Sequence, residues 1–265
     1  MNKKYAICYN SSIENSSTVM KRLEQIFIKK NLSYSIYNIN NLGNDCDYVF
    51  VVGGDGTILK AARYYSEYGI PILGINLGHL GFLSQVGADD AELALSKILS
   101  NEFVIEDRMM LKADNYKALN DFVIKGEFSS RASEFILEID NKPVCDYFAD
   151  GIIVSTPTGS TAYGMAAGGP VLSPDIDAIT VVPICPHTFA ARPIVVGGDS
   201  KIKIKTSHNE KYTVSSDGQE VFSIGGEIEI SKSSMPAKLL QLGENDFYEL
   251  LKTKLHWGIS PQGRI

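Results

Sequence analysis

The segment Tyr48-Val49-Phe50-Val51-Val52-Gly53-Gly54-Asp55-Gly56-Thr57-Ile58-Leu59-Lys60-Ala61-Ala62-Arg63 joins an uninterrupted apolar run to a helix-forming run through three glycines. Five such residues in a row read as a strand buried on both faces, which a parallel sheet covered by helices requires. Glycines at the carboxyl end of that strand leave backbone N–H groups open to a ligand, and N–H groups at the start of a helix bind phosphate. Asp55 stands alone among them. A fixed negative charge beside a phosphate site is unfavourable unless it meets a metal ion or accepts a proton from a substrate hydroxyl. The stretch therefore points to phosphoryl transfer. Its other reading is a tight strand-to-helix turn with Asp55 capping the helix. It fits neither the GxxxxGK(S/T) P-loop nor the GxGxxG dinucleotide fingerprint.

Outward from this stretch, strands and helices alternate. Tyr5 to Tyr9 reads as a short buried strand, and Ser17 to Lys30 carries Val19, Leu23, Ile26 and Phe27 at helical spacing. Ser33 to Ile39 alternates as a strand does, the helix after Thr57 continues to about Tyr68, and Pro71 to Asn76 is a further buried strand. This β-α-β-α-β order predicts a parallel sheet flanked by helices, with ligands bound beyond the carboxyl ends of its strands. Both Gly53 to Thr57 and Asn76-Leu77-Gly78-His79-Leu80-Gly81-Phe82 fall there. Ala88 to Leu99 predicts another helix, with Asp89 and Asp90 favourable to its dipole and Leu93, Leu95, Ile98 and Leu99 available for burial.

From Phe103 the period changes. Turn signals recur at Asp114-Asn115, Asp140-Asn141-Lys142-Pro143, Gly197-Gly198-Asp199 and His208-Asn209. Lys201 to Lys205 and Glu227 to Ile230 alternate strictly, as half-solvated antiparallel strands do. The fold class is an α/β N-terminal domain, a parallel sheet flanked by helices, followed by a β-rich C-terminal domain. The boundaries read as 1–107 and 108–240, with 241–265 returning as a helix, Asn245 to Leu255, that packs Phe247, Leu250, Leu251 and Leu255 back on the first domain.

Composition narrows the classes. The 265 residues are 44% apolar and 21% charged, an ordinary globular balance. A net charge of −6 argues against bulk binding to nucleic acid or to an anionic membrane. Cys8, Cys46, Cys145 and Cys185 are far apart and form no CxxC pair, so reduced thiols are expected. No run approaches the roughly 18 apolar residues of a membrane span. The start of the chain is too short in apolar residues for a secretory leader, and a cytoplasmic location is expected. No HxH, HxxxH or HExxH spacing suggests a resident metal, and His79 and His187 read as hydrogen-bonded structural imidazoles. Met109, Met110 and Trp257 read as core.

A second cluster, Thr156-Pro157-Thr158-Gly159-Ser160-Thr161-Ala162-Tyr163, follows the strand-like Gly151 to Ser155. Its hydroxyls and N–H groups suit the sugar and phosphate oxygens of a ligand at the start of a helix running to about Ala167. They equally suit a Ser/Thr-rich turn. Taken together, Gly53 to Thr57, Gly78 to Phe82, Ala118-Leu119-Asn120-Asp121, Asp150-Gly151, Thr156 to Tyr163 with Gly168-Gly169-Pro170, Pro183-Ile184-Cys185-Pro186-His187, Arg192-Pro193-Ile194 and Asp217-Gly218-Gln219 come in the order seen in bacterial NAD kinases. The resemblance runs from Tyr48 to Trp257.

That resemblance implies transfer of a phosphoryl group from ATP or polyphosphate to the 2′-hydroxyl of the adenosine ribose of NAD, giving NADP. Asp55 becomes the general base, orienting the hydroxyl and taking its proton as the bond to phosphorus forms. Gly53, Gly54, Gly56 and Thr57 face the donor's phosphates, and Lys60 either neutralises their charge or is a solvated helix lysine. Phe82 offers an aromatic face to a base, Asn120 and Asp121 contact ribose hydroxyls or the polar edges of the dinucleotide, and Thr158, Thr161, Ala162, Tyr163 and Ala166 line the NAD site. Asp150 binds the nicotinamide half from a neighbouring subunit of a homodimer or homotetramer with a pocket at the subunit interface. Cys185 and Gln219 are further pocket residues. Mg²⁺ arrives with the donor's phosphates. The chain departs from the family pattern at Asp121, where a Glu is usual, at Ala166, where Ser is frequent, and at Phe148, where a basic residue often stands. Competing readings are a kinase of the same motif acting on a lipid or sugar hydroxyl, and a dinucleotide-binding sensor without catalysis.

Overall fold

The computed structural model describes residues 3–78, 81–126, 132–188, 190–206, 211–243 and 246–256. His79, Leu80, the His208-Asn209 turn, Asn245 and Trp257 lie outside them. The chain forms two compact units, Met1–Asp107 with Lys238–Ile265 and Arg108–Ala237.

The first unit opens with β1 (Lys4–Tyr9), α1 (Ser16–Lys29), β2 (Ser33–Asn38), β3 (Tyr48–Val52), α2 (Asp55–Ser66) and β4 (Ile72–Asn76). The short β5 (Val86–Gly87), α3 (Ala91–Leu99) and β6 (Val104–Arg108) follow. β1 pairs in parallel with β2 on one side and β3 on the other, so Cys8 faces Tyr37 and Val51. β3 pairs in parallel with β4, Val52 opposite Ile75. The first crossover therefore leaves β1 in one direction and the second in the other. That reversal is the position in an open α/β sheet where ligands bind, and the Gly53 turn stands at its edge.

Aromatic residues fill this core. Phe50 on β3 lies edge-on to Phe27 of α1, ring centroids 5.2 Å apart, and Tyr5 of β1 contacts both rings. α1 buries Met20, Leu23 and Phe27 at spacings of three and four, one face of a helix. In α3 the buried residues are Ala91, Ala94, Leu95 and Ile98. Leu93 and Leu99, expected in the core, are 59% and 38% exposed. Leu93 is two residues from both Ala91 and Leu95, which turns it to the opposite face of the helix.

The second unit continues with β7 (Leu111–Ala113), β8 (Tyr116–Ala118), β9 (Asp121–Gly126), β10 (Ser133–Ile139), β11 (Lys142–Ala149) and β12 (Gly151–Ser155). A 3₁₀ turn (Thr158–Thr161) and the single-turn α4 (Tyr163–Ala166) lead to β13 (Ala178–Ile184) and β14 (Ile194–Gly197). The unit closes with β15 (Ile202–Thr206), β16 (Tyr212–Ser216), β17 (Glu220–Ile224) and β18 (Glu227–Lys232). Two sheets result, ordered β11-β10-β15-β18-β7-β8 and β14-β13-β12-β9-β16-β17. They share one core, with Phe135, Ile202, Ile204 and Ile228 from the first meeting Phe122, Ile152, Val181 and Tyr212 from the second. The strict alternation of β15 and β18 puts their isoleucines inside. Their solvent faces set Lys203 against Glu229 and Lys205 against Glu227 across the ladder.

β12 and β13 are buried along their whole length. Their second face is an apolar patch of Val123, Ile153, Val182 and Ile184 against which Ala167 packs. These central strands thus read as continuous apolar runs although their sheet is antiparallel.

The range 108–240 expected for the second domain ends too late. β19 (Ala237–Gln241) joins the first sheet in parallel beside β4, Leu239 opposite Ile72, so the chain re-enters the first unit at Lys238. α5 (Phe247–Leu255) follows, with the Asp246 carboxylate accepting the N–H groups of Tyr248 and Glu249 at 2.9 and 3.2 Å. Of its four expected core residues only Leu251 is fully buried, and Phe247, Leu250 and Leu255 are half-buried. Among the described residues no helix is long and apolar enough to cross a membrane.

Phe50 is fully buried. Truncation to alanine removes its ring contacts and leaves a cavity, so Phe50→Ala should lower the stability of the first unit by about 3–5 kcal/mol, read from the urea midpoint.

Candidate active site

β3 ends in a turn that brings together five of the residues singled out from the sequence, Gly53 to Thr57. The Gly53 N–H donates to the Ile75 carbonyl at 3.0 Å, continuing the β3–β4 pairing one residue past the strand. A Cβ at Gly53 would collide with the Thr57 side chain. Gly54 precedes α2 in an extended conformation, φ −83° and ψ −179°, and a side chain there would meet nothing within 4 Å. Its role is therefore space above the turn rather than backbone freedom. Gly56 is exposed. Thr57 is buried, and its Oγ1 has no hydrogen-bond partner among the described residues. The α2 N-terminus begins at Asp55 without a side-chain cap, so the capping alternative for this carboxylate does not hold.

Asp55 points instead to the loop after β4. Its Oδ2 accepts the Phe82 N–H at 2.7 Å and its Oδ1 the Leu83 N–H at 3.3 Å. A Cβ at Gly81 would overlap this carboxylate, so only glycine admits the contact. The loop is braced from below. Ser84 Oγ accepts the Gly81 N–H at 2.7 Å and the Asn76 side-chain amide at 2.9 Å, and Asn76 Oδ1 accepts the Gly78 N–H at 2.9 Å. Phe82 is half-buried and lines, with Val86, Leu93, Ala94, Lys97 and Leu250, a cavity of about 380 Å³ within the first unit. Lys60, one turn into α2, donates to Asn40 Oδ1 at 2.7 Å, beyond the end of β2.

In the second unit, Asn120 and Asp121 form a tight turn at the start of β9. The Asn120 carbonyl accepts the Thr156 N–H at 2.9 Å and the Ser155 hydroxyl at 3.2 Å. A Cβ on Gly159 would collide with the Asn120 backbone, which explains the glycine in the second motif. The hydroxyls of that motif largely secure the turn. Thr156 Oγ1 donates to the Leu119 carbonyl at 2.6 Å, Ser160 Oγ to the Pro157 carbonyl at 2.6 Å, and Thr161 Oγ1 to the Thr158 carbonyl at 3.2 Å. Thr158 Oγ1 accepts from Arg108 at 3.4 Å. The helix expected to run to Ala167 is a 3₁₀ turn and one α turn, too short to present a helix N-terminus to a phosphate.

The other candidates divide along β12. Thr158 to Ala166 and the Asp217-Gly218-Gln219 turn lie toward its Ser155 end, where Ser155 pairs with Asp121. Asp150 and Cys185 flank its Gly151 end, where the Asp150 N–H donates to the Ile184 carbonyl at 2.9 Å. Four residue steps separate these ends, about 13 Å of extended chain. Asp150, Cys185, Tyr163, Ala166 and Gln219 are all exposed. Cys185 adopts a left-handed backbone, φ 44°, an uncommon conformation for a residue with a side chain. One neighbour, Lys125, was not foreseen, and Asp217, named only within its motif, has a contact that the motif did not announce. Lys125 on β9 donates to the Tyr163 hydroxyl at 3.3 Å and lies 5.3 Å from its ring centroid, a cation on the aromatic face. Asp217 accepts the N–H groups of Leu119, Asn120 and Asp121 at 3.1, 2.7 and 3.2 Å. The Asp-Gly pair between alternating strands was the signal for its hairpin turn.

Asp121 is 4% exposed. Burial, with the neighbouring Asp217 charge adding to it, pushes its carboxyl up to about 7. Burial likewise pushes the Cys8 thiol up to about 12 and the Cys46 thiol up to about 11. Among the described residues no three His, Cys, Asp or Glu side chains cluster as metal ligands.

A parallel sheet with a carboxylate at one helix N-terminus, followed by a β-rich unit with a Ser/Thr turn, is the two-domain architecture of NAD kinase-like proteins. Residues 1–103 match the ATP-NAD kinase N-terminal domain and residues 119–242 the ATP-NAD kinase C-terminal domain. The chain is 44% identical over 230 residues to the NAD kinase of Pseudomonas fluorescens (strain Pf0-1), covering 82% of this chain and 78% of that one. It is 43% identical over 236 residues to the NAD kinase of Pseudomonas entomophila (strain L48), covering 84% and 80%. The crystal structure of an NAD kinase from Archaeoglobus fulgidus in complex with ATP superposes with a TM-score of 0.80 at 28% identity, over 96% of this chain and 98% of that one. Yeast NADH kinase complexed with NADH shares the fold, with a TM-score of 0.83 at 24% identity over 98% and 89%. The chain belongs to the ATP-NAD kinase family.

Two outcomes follow from the geometry. Gly81→Ala should push the Asp55 carboxylate off the Phe82 and Leu83 N–H groups, and a crystal structure of the variant should show Asp55 displaced with the fold intact. For Asp121 the folded-state affinity for a proton exceeds that of the unfolded chain, so its stabilising contribution is complete below the ordinary aspartate value of 3.8 and is lost as pH rises through about 7. At about 1.4 kcal/mol per tenfold change in proton affinity, the ionised side chain costs on the order of 4 kcal/mol above that pH. Asp121→Asn should therefore gain stability over the parent chain at pH 8 and lose that gain by pH 4, measured by urea unfolding.

Proposed function

We propose that the chain transfers the terminal phosphoryl group of ATP to the 2′-hydroxyl of the adenosine ribose of NAD, giving NADP, with Asp55 as general base. The observation that carries this reading is the Asp55 carboxylate, fixed at the N-terminus of α2 by the Phe82 and Leu83 N–H groups. Each carboxylate oxygen can accept more than one hydrogen bond, so a substrate hydroxyl finds an acceptor whose direction is already set. A carboxylate is a far weaker base than an alkoxide. The hydroxyl proton therefore passes to Asp55 as the new bond to phosphorus forms and the bond to the departing ADP breaks. The α2 N–H groups, the space above Gly54 and the unpartnered Thr57 hydroxyl suit the donor's phosphates. The names of the relatives, NAD kinase and an NAD kinase complexed with ATP, support NAD as acceptor and ATP as donor. The protein acts in the cytoplasm.

The donor set fits a metal carried by the substrate. Asp55 is the one carboxylate of the turn, and the described residues form no three-ligand cage. Mg²⁺ in such sites keeps several waters and is held mainly by substrate phosphates, where it neutralises their charge. Asn120, Asp121, Thr161, Ala162 and Tyr163 hold the NAD. Asp150 and Cys185, at the far end of β12, serve the site of a second subunit in a homodimer or homotetramer.

Purified chain with NAD, ATP and Mg²⁺ should form NADP, and polyphosphate in place of ATP defines the donor range. Asp55→Asn should bind NAD with little change by calorimetry while kcat falls at least about 100-fold, the usual scale for removing a general base. Unchanged turnover in that variant removes Asp55 from this role. If Asp150 serves a neighbouring site, subunits carrying Asp55→Asn and subunits carrying Asp150→Ala, each nearly inactive alone, should regain activity when mixed and reassembled.

A further inference from the structure

We infer that Asp217 is the positioning residue for the dinucleotide, holding the Asn120–Asp121 turn in its NAD-binding shape without touching the reacting atoms. The inference rests on the reading of the chain as an NAD kinase and goes beyond it by assigning NAD affinity to a side chain outside the binding residues. One carboxylate gathers three successive backbone N–H groups, those of Leu119, Asn120 and Asp121. Leu119 and Asn120 lie between β8 and β9, and Asp121 is the first residue of β9. The Asp217 N–H returns a bond to the Asp121 carbonyl at 2.9 Å, so the two segments are clasped in both directions.

The hairpin delivers this carboxylate by its own geometry. Asp217 and Gly218 have φ of 49° and 66°, and the Gln219 N–H donates to the Ser216 carbonyl at 2.9 Å. Positive φ at both central residues is the two-residue turn that matches strand twist, and Asp tolerates its first position. Ser216 adds a second clasp, its hydroxyl donating to the Lys117 carbonyl. On the other side of the turn, the Asn120 carbonyl is engaged by Thr156 and Ser155, and Gly159 packs against the same backbone. Asn120 is thus fixed from two elements, and its half-buried side chain is what remains to meet a ligand.

The same arrangement gives Asp217 an electrostatic reach. Register places Ser155 of β12 opposite Asp121 and Ser216 of β16 opposite Phe122, and the 156–161 turn contributes only hydroxyls and backbone. Asp217 is the charged group that acts on Asp121, whose proton affinity is raised first by burial and then by that charge. Ribose hydroxyls and amino groups are donors, so NAD favours the ionised Asp121.

The test is the isosteric Asp217→Asn in the full chain, assayed with NAD, ATP and Mg²⁺. KM for NAD should rise at least about tenfold, KM for ATP should stay within twofold, and kcat should fall far less than in Asp55→Asn. In the parent chain kcat/KM for NAD should rise with pH through an inflection near 7, and in Asp217→Asn this inflection should move to lower pH. A KM for NAD within twofold of the parent, or an unmoved inflection, overturns the inference. If the variant does not fold, amide exchange in the parent chain decides: slow exchange at Leu119 and Asn120 without NAD is expected, and fast exchange there overturns it. Absence of NADP formation by the parent chain would instead overturn the kinase reading.

Discussion

The bonds from the Phe82 and Leu83 N–H groups to the Asp55 carboxylate join two loops that are 27 residues apart in the chain, and they set the demands on everything beneath them. The two backbone donors fix the carboxylate without adding a competing side-chain acid. For those donors to reach it, β3 and β4 must end at the same level. Their parallel register, Val52 opposite Ile75, and the extra bond from Gly53 to Ile75 ensure it. The loop after β4 must then fold back, which Asn76 and Ser84 accomplish from beneath. Finally the approach must be close, which the missing Cβ of Gly81 allows. Sheet register, a buried amide–hydroxyl pair and one glycine thus act on a single oxygen pair.

Local signals explain why so much of the first unit was legible. Tyr48 to Val52 is continuous and apolar because β3 is buried on both faces, and the glycines that follow are required by contacts only a few residues away, as between Gly53 and Thr57. The helices α1 and α2 declare themselves by spacing. What escaped was non-local. Nothing in Ala237 to Gln241 says that it pairs with β4 some 165 residues earlier, since a buried strand has the same composition in either unit. Leu93 is apolar in sequence and exposed in the fold because burial is a property of the helix face, which a tally of leucines does not read.

The Ser/Thr-rich second motif shows the same division. Its composition reads as able to hold a turn or a ligand, and in the structure the hydroxyls of Thr156, Ser160 and Thr161 bind backbone carbonyls of the turn. A hydroxyl donates only once, so those donors are committed to backbone carbonyls and retain acceptor capacity alone. The half-buried Asn120 side chain and the exposed Tyr163 ring, with Lys125 at its face, lie at the same end of the sheet. Lys125 carried no sequence signal of its own because a lysine in a strand is normally a solvated one.

Asp121 is where the departure from the family pattern acquires a physical meaning. A glutamate at the start of β9 would carry its carboxyl one methylene farther from the backbone. The shorter aspartate keeps it where burial and a second negative charge both oppose ionisation. The Asp217 carboxylate instead accepts three backbone N–H groups. Two carboxyls in adjoining turns are thereby given different tasks, one as a fixed acceptor that shapes backbone and the other as a group that can donate or accept according to pH. The shorter side chain thus leaves the Asp121 carboxyl buried beside a second acid, where its proton is released only near neutrality.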